Sequence, residues 1–124
     1  MHPFRAAVEA EDMDAGLALF ADDATLDSPV AFKPFTGIEQ VSVVLRAVFE
    51  TFEDFHYTDE FENSDGKHAL VFGARVGDKS VQGLDLLTTD ESGRITNLTV
   101  MIRPMSGVIA LAEAMAPRVG HLAK

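Results

Sequence analysis

The chain has 124 residues, of which 47% are hydrophobic and 24% are charged. This length and composition fit one globular domain with a sizeable core, so we expect a single domain over residues 1–124. There is no cysteine, which excludes disulfides, thiolate zinc sites and a cysteine nucleophile. The formal net charge of −10 repels a phosphate backbone and argues against a nucleic acid partner.

Neither a signal segment nor a membrane span is expected. The N-terminus has no basic and apolar leader pattern, and no apolar run approaches membrane-spanning length. We therefore expect a cytoplasmic protein without membrane contact. Acidic residues gather at 9–14, 22–27 and 50–62. A cation site is one interpretation of these clusters, and solvated helix ends and strand faces are the favoured one.

The first apolar pattern, Pro3 to Phe20, has helical spacing with a slip between Val8 and Met13. Asp12 stands where it can cap a second helix, so the pattern predicts two short helices, with Phe20 closing the apolar stripe. Asp22 and Asp23 then favour a turn. The alternation from Ala24 to Ser28 predicts the first strand, which Pro29 ends.

The next helix is the clearest in the sequence. Thr36 and Glu39 have capping-box spacing, and apolar residues then recur every three or four positions from Ile38 to Phe52. This pattern predicts an amphipathic helix that lies across a sheet.

The period changes to two after Asp54. Alternating or apolar runs at 55–62, 67–76, 80–89 and 95–103 are separated by turn residues, which predicts a four-stranded antiparallel meander. Ser106 can cap a last helix from Gly107 to Ala116, stopped by Pro117. That helix is so apolar that it needs cover from the domain mouth or a second subunit.

Three segments carry a resemblance to a known family: Phe20-Ala-Asp-Asp-Ala-Thr with Pro29 following, Gly37-Ile38-Glu39, and Asp90-Glu91-Ser92-Gly93-Arg94-Ile95. With the order of elements, they resemble the nuclear transport factor two-like superfamily, in its SnoaL-like and steroid isomerase branches. The resemblance implies an α+β fold: a cone-shaped barrel of a bent, mostly antiparallel sheet with three to four helices and an interior pocket. It also implies a homodimer through the outer sheet face, on which we expect Arg75, Thr99, Met101 and Arg103.

The steroid isomerase branch can be compared residue by residue. Its proton-shuttling Asp falls on Ser28, its oxyanion Tyr on Phe4, and its second oxyanion residue on Asp85. Two of three parts are missing, so isomerisation of that kind is not expected. The related epoxide hydrolases place an Arg where this chain has Gly83. SnoaL-like cyclases require a buried Asp that moves a proton, and Asp85 can supply that alone.

Asp85 is the leading candidate for a catalytic residue. It lies in an apolar strand, where burial raises the pKa of a carboxyl and suits it to proton transfer. A structural carboxylate bonded to its neighbours is the alternative. His68 is a possible auxiliary, against the alternative of an idle strand-end histidine. Tyr57 and Asp59 share a strand face and can add a hydroxyl and a carboxylate to the pocket, although a cross-strand core tyrosine is the plainer account.

The expected pocket is apolar, with Ser28 as a small lining residue rather than a nucleophile. The other expected lining residues are Phe4, Leu17, Phe20, Leu45, Phe49, Tyr57, Leu70, Phe72, Leu98, Val100 and Ile102. The histidines at positions 2, 56, 68 and 121 are too dispersed to predict a metal site, and we expect no metal and no cofactor.

Three function hypotheses follow. The first is a cofactor-independent cyclase or isomerase-type lyase acting on a small hydrophobic carbonyl compound, with Asp85 as acid and base and His68 as auxiliary. The second is a non-catalytic binding module for a hydrophobic metabolite. The third is a protein-interaction module that uses the sheet face.

Overall fold

The computed structural model describes residues 1–120. Its elements, in chain order, are α1 (Pro3–Glu9), α2 (Met13–Leu17), β1 (Phe20–Asp27), β2 (Phe35–Thr36), α3 (Ile38–Thr51), β3 (Glu53–Glu62), β4 (Lys67–Val76), β5 (Lys79–Thr89), β6 (Ile95–Arg103) and α4 (Met105–Val119). Among these residues, no helix is long and apolar enough to cross a membrane.

The strands form one sheet in the order β2-β1-β6-β5-β4-β3. Every neighbouring pair is antiparallel except β1 and β6, which are parallel. The predicted meander of β3 to β6 is confirmed, and so is the α+β class with a mostly antiparallel sheet and four helices. The curved sheet does not close on itself, and β2 and β3 are its edges.

The predicted break between two short N-terminal helices is confirmed. The Asp12 side chain accepts a hydrogen bond from the Ala15 amide at 3.0 Å and caps α2. His2 caps α1, because its Nδ1 accepts from the Phe4 amide at 3.0 Å while Pro3 occupies the first turn.

Three local predictions in this half were wrong. Phe20 begins β1 instead of closing a helix, and Asp22 and Asp23 lie exposed within β1. The register with β6 shifts between Phe20 and Thr25, so an irregular strand accommodates residues that favour turns. The capping box is absent as well: α3 begins after Gly37, whose φ is 86°, and the Thr36 amide donates to the Gln40 side chain at 3.1 Å.

The last helix is longer than predicted. It begins after Pro104 and continues through Pro117 to Val119, because Met115 and Val119 are buried on its inner face and their burial outweighs one lost backbone bond. Near its start the helix passes close to β5, since a Cβ on Gly107 would lie 2.3 Å from Val81 Cγ1. The opposite side of α4 leaves Met105 and Ile109 exposed.

The core lies between one face of the sheet and the helices. Alternate residues of β4 and β5 point inward, among them Leu70, Phe72, Val81 and Leu87. The helix α4 packs against these strands, and α3 packs against β1 and β2. Because β5 keeps strict alternation, Asp85 also points inward.

Candidate functional site

A cleft of about 760 Å³ lies between the α1–α2 segment, α3 and the first half of β3. Aromatic side chains form one wall, with Phe55 packed edge-to-face on Phe49 at 5.0 Å and on Tyr57 at 4.9 Å between ring centroids. The lining residues are Val8, Glu9, Glu11, Asp12, Met13, Arg46, Phe49, Glu50, Phe52, Asp54, Phe55, His56 and Tyr57. The cleft thus combines an apolar wall with a charged rim.

Asp85 is a buried carboxyl that interacts with Tyr57 of this wall. It is 5% exposed, between Leu70 on β4 and Val100 on β6. Burial raises the pKa of Asp85 to about 7, and the Tyr57 hydroxyl acts in the opposite direction. A carboxyl with this pKa exchanges a proton readily near neutral pH.

The Tyr57 hydroxyl is the neighbour of that carboxyl. Burial, and then the charge of Asp85, raise the pKa of Tyr57 far above its ordinary value, so the phenol keeps its proton. Within residues 1–120 the hydroxyl has no partner at full hydrogen-bond geometry. The phenol and the carboxyl therefore lie close enough to perturb each other electrostatically while the bond between them is not well formed.

A bulge in β3 decides which side chains share the face of Tyr57. Tyr57 pairs with Phe72 on β4, but the register shifts before Asp59, and Glu60 pairs with Leu70. The expectation that Asp59 shares a face with Tyr57 was therefore wrong, because the extra residue turns Asp59 outward and Glu60 inward.

Glu60 belongs to an N-terminal polar cluster, formed by His2, Arg5, Glu60, Glu62 and His68. The Glu60 carboxylate accepts from the His2 amide at 2.7 Å and lies 3.3 Å from Arg5 Nη1. His68 is half-buried, with Nδ1 3.4 Å from Glu62 and its ring 4.6 Å from that of His2.

His68 therefore occupies the inward face, as predicted, but its contacts are with this cluster. No hydrogen bond joins it to Asp85 in the described chain. It pairs with Leu87, whereas Asp85 pairs with Leu70. No residue pattern predicts that Glu60 faces inward, because the bulge has no residue signature. Pro3 in a first helical turn was the available signal that His2 is a cap.

The cleft does not lie among most of the residues predicted to line a pocket. Of the predicted lining residues, Phe49 and Tyr57 line the cleft. Phe4, Phe20, Leu45, Leu70, Phe72 and Leu98 are at most 2% exposed and fill the core. Leu17, Ser28, Val100 and Ile102 are half-buried outside the cleft lining.

The Phe72 ring explains the displacement. It lies directly over Gly83, where a Cβ would be 2.1 Å from Phe72 Cζ, so it occupies the space beside Asp85 that a deep chamber needs. The cleft is consequently bounded by the α3–β3 junction. Phe49, Phe52 and Phe55 are spaced by three across this junction, which was the available signal for the aromatic wall.

The described residues contain no group of three or more His, Cys, Asp or Glu side chains placed to hold a metal ion. His121 lies outside the described residues.

The fold, a family match and a similar solved structure place the chain among the nuclear transport factor two-like proteins, on the side of the SnoaL-like and steroid isomerase branches. The model of the SnoaL-like domain family matches residues 2–98, and the chain belongs to this family.

Two solved structures show the similarity. A steroid delta-isomerase from Pseudomonas aeruginosa is 38% identical with a TM-score of 0.87, covering 94% of this chain and 85% of that one. An uncharacterised protein with a cystatin-like fold from Silicibacter pomeroyi is 34% identical with a TM-score of 0.88, covering 97% and 87%. A search of curated proteins found no match.

Proposed function

We propose that the chain binds a small, mainly apolar molecule in the cleft, and that Asp85 with Tyr57 moves a proton on that molecule, as in a SnoaL-like cyclase or isomerase. The observation that carries this proposal is a buried carboxyl with a pKa of about 7 beside a phenol that lines the cleft. The similarity to a steroid delta-isomerase supports an apolar carbonyl compound as ligand.

The two groups have complementary roles in such a reaction. Ionised Asp85 takes a proton from the carbon next to a carbonyl, and the resulting enolate oxygen accepts a hydrogen bond from the Tyr57 hydroxyl. The protonated Asp85 then returns the proton to the same or another carbon, so no cofactor is consumed. Approach to Asp85 requires displacement of Tyr57 or Phe72, since Asp85 is not among the residues that line the cleft.

That last observation favours a second candidate, a binding module without catalysis. In this case the aromatic wall holds the ligand and Asp85 only orients Tyr57. His68, which contacts Glu62 and His2, is then a structural residue of the N-terminal polar cluster.

The test is exchange of the α-protons of 2-tetralone, an apolar bicyclic ketone, followed by ¹H NMR in D₂O. For an enzyme we expect protein-dependent exchange that slows on the order of 10²-fold or more in Asp85→Asn, and is unchanged in the control Ser28→Ala. Saturable binding of 2-tetralone with no acceleration of exchange supports the binding module. Absence of both binding and exchange contradicts the proposal.

A homodimer through the outer sheet face is a separate proposal. Arg75, Thr99, Met101 and Arg103 alternate with inward residues, and Met101 is 49% exposed opposite half-buried Leu84. We expect a dimer mass by light scattering and a monomer mass for Met101→Glu. A wild-type monomer contradicts the dimer and leaves this face for another protein.

A further inference from the structure

We propose that the ligand of the cleft is an organic cation, a protonated amine or quaternary ammonium on an apolar or aromatic body. This inference rests on the proposed function, that the cleft binds a small molecule, and adds the charge of that molecule. It is carried by the aromatic wall, the charge of the rim and the unpartnered Tyr57 hydroxyl.

The aromatic wall suits a cation. Aromatic rings carry a negative potential over their faces and attract ammonium groups within about 6 Å of the ring centroid. Four rings, those of Phe49, Phe52, Phe55 and Tyr57, line the cleft. One of them already holds a cation, since the Arg5 guanidinium carbon lies 5.5 Å from the Tyr57 ring centroid.

The rim has the opposite charge to such a ligand. Among residues 1–120, the cleft is lined by one guanidinium, that of Arg46, and by five carboxylates, at Glu9, Glu11, Asp12, Glu50 and Asp54. Arg46 is itself paired with a carboxylate outside the lining, that of Asp14. The net charge of −10 on the whole chain adds to the attraction for cations and the repulsion of anions.

Three of these carboxylates already form ion pairs or cap a helix within the protein. Glu9 lies 3.2 Å from Arg5, Asp54 lies 2.7 Å from Arg75, and Asp12 caps α2. Glu11 and Glu50 have neither an ion pair nor a side-chain hydrogen bond within the described part of the chain. They are the two rim charges still available to a ligand.

A buried polar group points to a ligand independently of the rim. Tyr57 is 8% exposed, lines the cleft and leaves its hydroxyl unpartnered, although an unsatisfied buried polar group is costly in a folded protein. The partial negative charge on the phenol oxygen attracts an ammonium group, with or without an N–H, and the Asp85 carboxylate behind it favours a positive charge there when it is ionised. An anionic ligand meets charge of its own sign at both places, and is repelled.

The test compares three probes of one shape class by isothermal titration calorimetry: phenyltrimethylammonium, its neutral isostere tert-butylbenzene, and benzenesulfonate. We expect the cation to bind about five-fold or more tightly than the neutral isostere, with an affinity that falls as salt is raised, and benzenesulfonate not to bind.

A matched pair of variants locates the effect. The double variant Glu11→Gln/Glu50→Gln should lower the affinity for the cation about three-fold or more and leave the affinity for tert-butylbenzene unchanged. The control Asp65→Asn/Glu91→Gln makes the same charge change on turns away from the lining. It should change the affinity for either probe little. Equal or tighter binding of the neutral isostere overturns the inference while the cleft stays a ligand site. Binding of neither probe also overturns the inference, and 2-tetralone titrated in the same way then shows whether the proposed function fails with it.

Discussion

The Tyr57 hydroxyl lies beside the Asp85 carboxyl, and each group shifts the pKa of the other. Burial is the larger influence on both, and it favours the neutral form of each. The pair is therefore most stable with two protons, and ionisation of Asp85 near neutral pH places an uncompensated charge in the core.

The first prediction concerns stability against pH. The pKa of Asp85 is raised from 3.8 to about 7 in the folded protein, so between these values the folded state binds one proton more than the unfolded state. The contribution of Asp85 to stability is complete below pH 4 and is lost as the pH rises through 7, by about 4 kcal/mol in all. Urea unfolding of wild type and Asp85→Asn between pH 4 and 8 should show this slope in wild type alone. Parallel profiles for the two proteins would contradict it.

The second prediction isolates the phenol. Tyr57 lowers the pKa of Asp85, so Tyr57→Phe should raise that pKa above its wild-type value. Because the hydroxyl is unpartnered, its loss should cost little stability, within about 1 kcal/mol. The Asp85 carboxyl can be followed by ¹³C NMR titration in both proteins. An unchanged or lowered pKa would show that the two groups do not interact.

The third prediction concerns the cap of α1. Burial, and then the neighbouring His68, lower the pKa of His2, while Glu60 and Glu62 raise it and the terminal amine lowers it slightly. Folded His2 therefore resists protonation, and its contribution to stability, present above about pH 6.5, is lost as the pH falls below that value. Protonation also removes the Nδ1 lone pair that accepts from the Phe4 amide.

His2→Asn keeps a capping acceptor without a titrating group. We expect hydrogen exchange at the Phe4 amide to accelerate, relative to its intrinsic rate, between pH 7 and 5 in wild type but not in this variant. His56→Asn, which removes an exposed imidazole, is the control and should behave as wild type. Equal protection in wild type at both pH values would refute the prediction.

The fourth prediction compares two glycines. A Cβ on Gly83 meets the Phe72 ring at 2.1 Å, so Gly83→Ala should destabilise the fold by about 1–3 kcal/mol. Gly16 lies within α2 with its nearest neighbours at an ordinary 3.6 Å, so Gly16→Ala should stabilise by about 0.5–1 kcal/mol. Thermal unfolding separates the two, and a neutral Gly83→Ala would mean that Phe72 yields easily and that the space beside Asp85 can open.

Alternation and capping chemistry made much of the fold predictable. β4 and β6 have the predicted bounds, Asp12 caps α2, and the apolar strand around Asp85 correctly indicated a buried carboxyl. Irregular strands were not predictable, because a shift of one residue reverses the face of every later side chain and leaves no residue signature near Thr25 or Asp59.

The cleft was not predictable for a related reason. Its position depends on how one ring, that of Phe72, fills the volume over Gly83, which is a property of packing and not of pattern. Likewise, α3 and α4 have Gly37 and Pro104 as N-caps instead of the predicted Thr36 and Ser106. In both helices the path of the backbone sets the first residue, and no side chain caps it.

The parallel pairing of β1 with β6 bears on how the protein assembles. Strands β3 to β6 are joined by short hairpins and need only local encounters, whereas β1 must close a loop of about 70 residues to reach β6. We expect the meander to form early and the N-terminal segment to dock late. The cleft is lined by residues of both the N-terminal segment and β3, so it forms only when the N-terminal segment has docked. A ligand bound in the cleft therefore stabilises the docked position of this segment, which folds last.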